Sequence, residues 1–428
     1  MNRGVYTLAL RAAAPLIWLW MARRAKRAGG RWDIFSAERF GRSEPFSPAN
    51  PPVWMHAVSL GETRAALPLL NALLARGLPV LLTHTTATGR AEGERLFKDA
   101  IDRGQLRQVW LPYDFPGATR RFMAAHRPRC GLLMEREIWP NLLAAARQAG
   151  VPVALVSARY SASSLRQARR MGGVMREALA GLDKVLAQTA EDAGRLAEAG
   201  APPAVVTGNL KFDLVLPQAQ VEAGRAWRAQ LGRHVVAVAS TREGEDAPFI
   251  EAIKRHAALP GAPIFLLIPR HPQRFDEAAR LLSDAQLAFA RRSEGTLPSP
   301  DTTVLLGDSL GEMAFYYAAS DVAIVAGSFA PLGGQNLIEA CAAGVPVIVG
   351  PHTFNFKQAA EDAVDAGAVF RAAEAAQAVD AAIALLQDTA RRQRASEAAR
   401  AWFDQHAGAT GRTMAALGSW LDVPAPSR

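Results

Sequence analysis

The sequence predicts two α/β units, each a parallel sheet with helices on both faces, behind an apolar N-terminal helix. Short apolar runs alternate with helical patterns from residue 52 to 208. A polar stretch at 216–233 then breaks the rhythm, which resumes to residue 350. Strands that alternate with helices pair in parallel and need cover on both faces. A chain of 428 residues also exceeds one ordinary core, so two domains follow from length as well.

The N-terminal element is residues 5–22, VYTLALRAAAPLIWLWMA, followed by Arg23, Arg24, Lys26, Arg27 and Arg31. It falls just short of the ~20 apolar residues that cross a bilayer, and Arg11 and Pro15 interrupt it. No small-residue cleavage site follows, and cations behind an apolar run oppose export. A membrane anchor over 1–27 is expected. It either crosses once or lies in the inner leaflet with Trp18 and Trp20 at the interface, and the flanking charge keeps the bulk of the protein in the cytoplasm. The alternative is a helix packed on the globular body.

The first unit is expected over 28–215, with strands near 53–59, 79–85, 130–135, 151–157, 183–189 and 204–208. The second is expected over 216–405, with strands near 234–240, 263–269, 303–307, 321–326 and 346–350. The linker is placed near 214–230. The Ala- and Arg-rich tail reads as helical, and its last piece, 406–428, is expected to pack back on the first unit. Several helices end in Gly before the next strand, as C-caps do.

The net charge of +9 and a pI near 10.0 imply an anionic partner, either acidic lipid or a phosphorylated substrate. Nucleic acid is disfavoured. No motif for it occurs, and the strongest basic cluster follows the apolar segment. Cys130 and Cys341 are the only cysteines, far apart in apolar stretches. They exclude a disulfide framework and a CxxC metal site and fit a reducing compartment. The eight histidines show no HxxxH or HExxH spacing, so no protein metal cage is expected.

The most informative stretch is 307–357. Two apolar runs, 322–326 and 345–349, flank Leu332-Gly333-Gly334-Gln335-Asn336, which is expected to open a helix, and Glu339 lies three residues after Asn336. A small-residue loop before a helix N-terminus presents free N–H groups to an anion. An acid one turn in can hold a ribose hydroxyl. This is the chemistry of a nucleotide-sugar donor site.

The other unusual residues fall at strand ends, where doubly wound sheets bind ligands. In His56-Ala57-Val58-Ser59-Leu60-Gly61-Glu62, Gly61 is expected to allow a sharp turn. Glu62 is expected at the mouth of a cleft as a general base toward a hydroxyl. The same spacing makes Ser59 and Glu62 a capping box, and spacing alone supports both. Of Glu135 and Glu137, Glu135 directly continues an apolar run and is the expected cleft residue; the alternative is that both are acids at a helix N-terminus. Residues 85–89, TTATG, offer hydroxyls and amides. Arg270, after another strand, can grip a phosphate or carboxylate in bidentate fashion; His271 beside it reads as a donor or structural group. Lys211 either reaches a leaving phosphate or is a solvated linker cation.

Taken in order, these segments resemble one family, the Kdo (3-deoxy-D-manno-octulosonic acid) transferases of lipopolysaccharide assembly. The matching stretches are 56–62, 83–89, 111–116 (LPYDFP), 134–141 (MEREIWPN), 157–161, 208–213 (GNLKFD), 240–245 (STREGE), 269–275 (PRHPQRF), 307–312, 327–339 and 350–356. The resemblance covers nearly the whole chain. It implies a GT-B glycosyltransferase of two Rossmann-like domains facing a cleft, independent of metal and of any resident cofactor. CMP-Kdo is the implied donor and lipid IVA the acceptor, at the inner membrane; no protein partner is implied. It maps the general base to Glu62. It maps nucleotide contacts to Pro269, Arg270, Gly311, Glu312, Met313, Asn336, Leu337, Ile338 and Glu339; the residues themselves suggest Ser59, Gly61, Glu135, Lys211, Gly333, Gly334 and Gln335 as support of the cleft. Three positions depart from the family pattern: Gln335 stands where His is usual, Arg136 where Thr is usual, and Tyr160 where Leu is usual. Gln cannot titrate, so acid-base work at 335 is not expected.

Overall fold

Two seven-stranded parallel sheets carry the chain, which a computed structural model describes over residues 1–28, 32–46, 48, 50–257, 261–295 and 297–422. Arg31 and the last six residues of the expected C-terminal segment lie outside the described residues. The chain divides into residues 1–214 with 407–428, and residues 215–406.

In the first unit the strands are β1 (Val53–His56), β2 (Val80–His84), β3 (Leu106–Trp110), β4 (Cys130–Met134), β5 (Val153–Ala158), β6 (Lys184–Ala187) and β7 (Ala204–Val206). Their order is β3-β2-β1-β4-β5-β6-β7, all parallel. β1 and β4 are buried at every position, as central strands covered on both faces must be. The strand order reverses between β1 and β4, and the crevice beyond such a switch point is where this architecture binds ligands.

The second unit holds β8 (Val235–Thr241), β9 (Ile264–Pro269), β10 (Phe289–Arg291), β11 (Val304–Leu306), β12 (Val322–Val325), β13 (Val347–Val349) and β14 (Val369–Arg371). The order is β10-β11-β9-β8-β12-β13-β14, with its switch point between β8 and β12.

Three strands depart from expectation. β3, β10 and β14 are absent from the sequence reading, and all three lie at sheet edges. β3 carries half-buried Arg107 and Gln108, and β10 and β14 have three residues each, so none forms a continuous apolar run. The supposed linker is also different. Residues 218–231 form a helix, Gln218–Leu231, inside the second unit. It packs on the helix Met313–Ala318 through Trp227 and Phe315, whose rings lie 5.9 Å apart. Gly224 permits the approach, since a Cβ there would stand 2.4 Å from the Phe315 carbonyl oxygen. The tail forms the helices Ala375–Gln387, Thr389–His406 and Ala409–Leu417. Ala409–Leu417 belongs to the first unit and buries Met414 and Leu417 in the core that holds Leu69 and Leu73. The Asp213 carboxylate caps it, accepting from the backbone N–H groups of Gly408, Ala409 and Thr410.

The first helix, Arg3–Ala28, contains a 24-residue stretch, Arg3–Lys26, long and apolar enough to cross a membrane. One face docks on the first unit from end to end. Near its start, Met1 O accepts from Val174 N–H at 2.8 Å, and Tyr6 Oη donates to Asp114 Oδ2 at 2.9 Å. Near its other end, Trp18 lies edge-on to Phe40 and tilted against Tyr113, and Met21 is buried with Trp32 and Trp110. The opposite face exposes Val5, Leu8, Leu16, Leu19 and Trp20. Trp18, expected at a lipid interface, is thus part of an aromatic cluster within the protein.

Candidate active site

In the first unit the candidate residues gather beyond β1 and β4. Ser59 caps the helix Leu60–Ala75, its Oγ accepting from the Glu62 N–H. The Glu62 carboxylate reaches back, and Oε2 accepts from the Val58 N–H at 2.5 Å. The capping geometry is therefore realised, one residue earlier than in the standard box. Oε1 has no hydrogen-bond partner among the described residues. Burial first, then the charges of Glu135 and Glu137, push the Glu62 pKa up to about 8, against the Val58 amide and Lys211. That places its proton exchange near neutral pH, where a general base works best. Gly61 does not turn the chain sharply. It sits in the first turn of the helix without positive φ, exposed beside Glu62.

Glu135 follows β4 in the left-handed region, φ 53°, which a residue with a Cβ occupies only when its surroundings impose it. Its carboxylate is buried and accepts from Lys211 Nζ at 2.7 Å, with Arg159 at 3.9 Å. Burial would raise its pKa, but Lys211 and Arg159 outweigh it, and the net direction is down. Lys211 is thus no solvated linker cation; it belongs to the first unit, on the short turn Leu210–Asp213. Glu137 accepts from Trp139 Nε1 at 3.0 Å and stands 3.7 Å from Nε2 of fully buried His56. Nδ1 of His56 is engaged by Thr83, while Nε2 has no hydrogen-bond partner among the described residues.

The Thr-rich loop does structural work. Thr86 Oγ1 caps the helix Ala87–Leu96 and donates to Val58 O at 2.8 Å. Gly89 packs on the Val58–Ser59 backbone, so closely that a Cβ would lie 2.9 Å from Val58 O. The loop braces the segment that carries Glu62. Asp114 caps the helix Pro140–Gln148 through the Asn141 and Leu142 amides, and burial raises its pKa to about 6. Tyr160 is buried in the core, where burial raises its pKa.

The second unit has its own polar constellation, beyond β8, β9 and β12. Glu245 is buried, and its carboxylate accepts four backbone N–H groups: Arg242 at 2.9 Å, Gly327 at 2.7 Å, Phe329 at 3.0 Å and Ala330 at 3.2 Å. One side chain thereby fixes the loops after β8 and β12 to each other. In the sequence Glu245 is only the last residue of the stretch 240–245, with nothing to set it apart from Glu243. The available signal was a carboxylate a few residues past a strand, facing a Gly-rich loop.

Arg270 follows β9, and its Nε donates to Gln335 Oε1 at 3.3 Å. Burial, with Arg242 and Arg270 nearby, holds His271 below its ordinary pKa, which fits a neutral donor or structural group. Glu312 accepts from Arg292 at 2.9 Å and from Ser309 Oγ. Gly311 has φ 81°, and Met313 opens the next helix.

The loop 332–337 departs from expectation. The helix begins at Ile338 and has five residues, Ile338–Ala342, so Gly334–Asn336 are not its N-terminus. Gly333 and Gly334 adopt φ of 93° and 81°, and Asn336 Oδ1 accepts from Ile338 N–H, which closes a local turn instead. Glu339 accepts from Asn336 Nδ2 at 2.9 Å. Leu337 and Ile338 are buried and offer a ligand only their backbones.

In sum, the structure brings Glu62, Ser59, Gly61, Glu135 and Lys211 together in the first unit. Pro269, Arg270, Gly311, Glu312, Met313, Gly333, Gly334, Gln335, Asn336, Leu337, Ile338 and Glu339 are in the second. Among the described residues, no group of three or more His, Cys, Asp or Glu side chains is placed to hold a metal ion.

Two doubly wound parallel-sheet units with polar constellations beyond their switch points are the architecture of the GT-B fold. A glycosyltransferase from Rickettsia africae shares the fold at a TM-score of 0.56 and 14% identity, over 87% of this chain and 98% of its own. Residues 36–214 match the family model for 3-deoxy-D-manno-octulosonic-acid transferase (kdotransferase), and residues 287–402 match that for glycosyl transferases group 1. A 3-deoxy-D-manno-octulosonic acid transferase from Bordetella pertussis is 70% identical over 98% of this chain and 100% of its own; one from Haemophilus influenzae is 31% identical over 99% of both. The chain belongs to the Kdo transferase family.

Proposed function

We propose that this protein transfers Kdo from CMP-Kdo to lipid IVA, with Glu62 as general base and inversion at the anomeric carbon. The observation that carries the reading is Glu62 itself. It is a carboxyl at a switch point, with one oxygen held and the other unpartnered, and its proton exchange lies near pH 8. Glu62 takes the proton of an acceptor hydroxyl. The hydroxyl oxygen bonds to the anomeric carbon, and the bond from that carbon to the phosphate oxygen breaks on the opposite face. CMP leaves with the electron pair.

Kdo carries a carboxylate beside its anomeric carbon, and the donor adds a phosphodiester. Arg270 supplies fixed positive charge where negative charge develops. The reaction as proposed uses no resident cofactor. Incubating the full-length protein with CMP-Kdo and lipid IVA and weighing the product by mass spectrometry tests the reading. An unchanged lipid mass would refute it.

The first helix is read as lying in the plane of the membrane. Its two docking ends, near Tyr6 and Met21, are about 22 Å apart at 1.5 Å per residue, and both bind the same unit. A helix held along its whole length by a folded domain cannot also cross the bilayer alone. Its exposed apolar face enters the leaflet instead, and the cations after it favour the cytoplasmic side.

A further inference from the structure

We propose that Arg39 is a positioning residue for Glu62. Its guanidinium ties the aromatic cage under the first helix to the loop at Thr85 and Thr86, and that loop fixes the Val58 backbone that grips the Glu62 carboxylate. The effect on rate rests on the reading of Glu62 as the base.

Arg39 is buried without a counter-charge. It lies on the short turn Ala37–Phe40 and is 1% exposed. Among the described residues no carboxylate pairs with it; its donors go to backbone carbonyls instead. The acids around it, Asp33 and Glu38, are engaged elsewhere. Asp33 Oδ2 accepts from Trp110 Nε1 at 3.2 Å, and Glu38 Oε2 accepts from Arg90 at 3.1 Å and from the Trp110 N–H at 2.8 Å. Burying an unpaired cation opposes folding, and an apolar side chain of similar size would fill the place with less loss. The guanidinium therefore points to a role other than stability.

Its contacts run two ways. On one side it lies 4.1 Å from the centre of the Trp110 ring and 5.7 Å from that of Tyr113, and Nη2 donates to Trp32 O at 3.0 Å. Trp32, Trp110 and Tyr113 pack with Ile17 and Met21 of the first helix. On the other side the same Nη2 donates to Thr85 O at 3.0 Å. A rigid planar guanidinium can hold two carbonyls from separate segments at once, with its face on aromatic rings. The turn that carries it is anchored too, since Arg39 O accepts from the Tyr113 N–H at 2.8 Å.

The bonds continue to the base. The Thr85 and Thr86 N–H groups donate to Val58 O at 3.4 and 3.1 Å, and Thr86 Oγ1 adds a third donor at 2.8 Å. With its carbonyl held by three donors, Val58 has little freedom to turn, and its N–H stays aimed at Glu62 Oε2. A base displaced by a fraction of an ångström loses rate steeply.

Hydrogen exchange read by mass spectrometry, with steady-state kinetics on lipid IVA in detergent, tests this on the full-length protein. In Arg39→Met, residues 56–62 should exchange about tenfold faster, the weight of roughly one hydrogen bond, while β5 and β6 exchange as in the wild type. The kcat should fall about 10- to 100-fold with an unchanged KM for CMP-Kdo. Arg39→Lys keeps the charge but not the planar fork and should behave like Arg39→Met. Unchanged exchange at 56–62 in Arg39→Met overturns the proposal. So does a rise shared equally by β5 and β6, which is general loosening, and so does wild-type behaviour of Arg39→Lys. If Arg39→Met does not fold, Met21→Ala decides instead. It opens a gap between the first helix and the same cage, and exchange at 56–62 should again rise ahead of β5 and β6; no rise there overturns the proposal. Faster exchange at 56–62 with an unchanged kcat supports the tie and refutes Glu62 as the base.

Discussion

Within the second unit, Nε of Arg270 donates to Oε1 of Gln335 at 3.3 Å. The amide steers the guanidinium at every pH, because it has no proton to gain. A histidine there would titrate near its ordinary value of about 6.5. Gln335→His should therefore give a KM for CMP-Kdo that rises as pH falls below about 6.5, whereas the wild-type KM stays flat there. Steady-state kinetics at pH 5.5–8 checks this. Arg270→Ala should raise KM at every pH.

Glu245 should be the least replaceable polar residue of the second unit. Each of its carboxylate oxygens accepts two backbone N–H groups. Glu245→Gln turns one acceptor into a donor that faces two donors, leaving buried amides unpaired at about 2 kcal/mol. A lower melting temperature and a raised KM for CMP-Kdo are expected together. Glu245→Gln with wild-type melting and KM would show that the loop is held by other means.

The parts legible in the sequence share a physical cause. Central strands such as β4 and β12 are buried on both faces, so their apolar runs are unbroken. Edge strands such as β3 face solvent in part and lose that signal. The helix Gln218–Leu231 hid because it buries only a narrow stripe, Val221, Gly224 and Trp227. At the site, residue types were legible but their partners were not. Lys211 looks like a linker cation until the fold places Glu135 beside it. The Gly333–Asn336 loop looks like a helix start until two left-handed glycines and the Asn336 turn delay it.

Glu62 makes two linked predictions. Glu62→Gln should lower kcat about 10²–10⁴-fold and leave CMP-Kdo affinity, read by calorimetry, unchanged. Its effect on stability has a definite sign. The folded-state pKa of about 8 lies above the model value of 4.5, so the native protein binds the proton more tightly. That stabilisation is complete below the unfolded value and is lost as pH rises through about 8. Glu62→Gln cannot ionise, so its melting temperature should gain on the wild type as pH rises from 5 to 9. A constant difference across that range would mean that Glu62 is not held protonated.

The first helix separates two topologies by one labelling experiment. Lying in the plane, it keeps Asn2 on the same side of the membrane as the domain that holds Met1 through Val174. Asn2→Cys, in a background with Cys130 and Cys341 buried, should then react with a membrane-impermeant maleimide in inside-out vesicles and not in intact spheroplasts. The reverse pattern would mean that the helix crosses. Leu8→Glu with Leu16→Glu places charge on the exposed apolar face without touching the docked one. That variant should stop floating with anionic vesicles while it keeps its rate on acceptor dispersed in detergent. If vesicle binding survives, the apolar face is not what holds the protein to lipid.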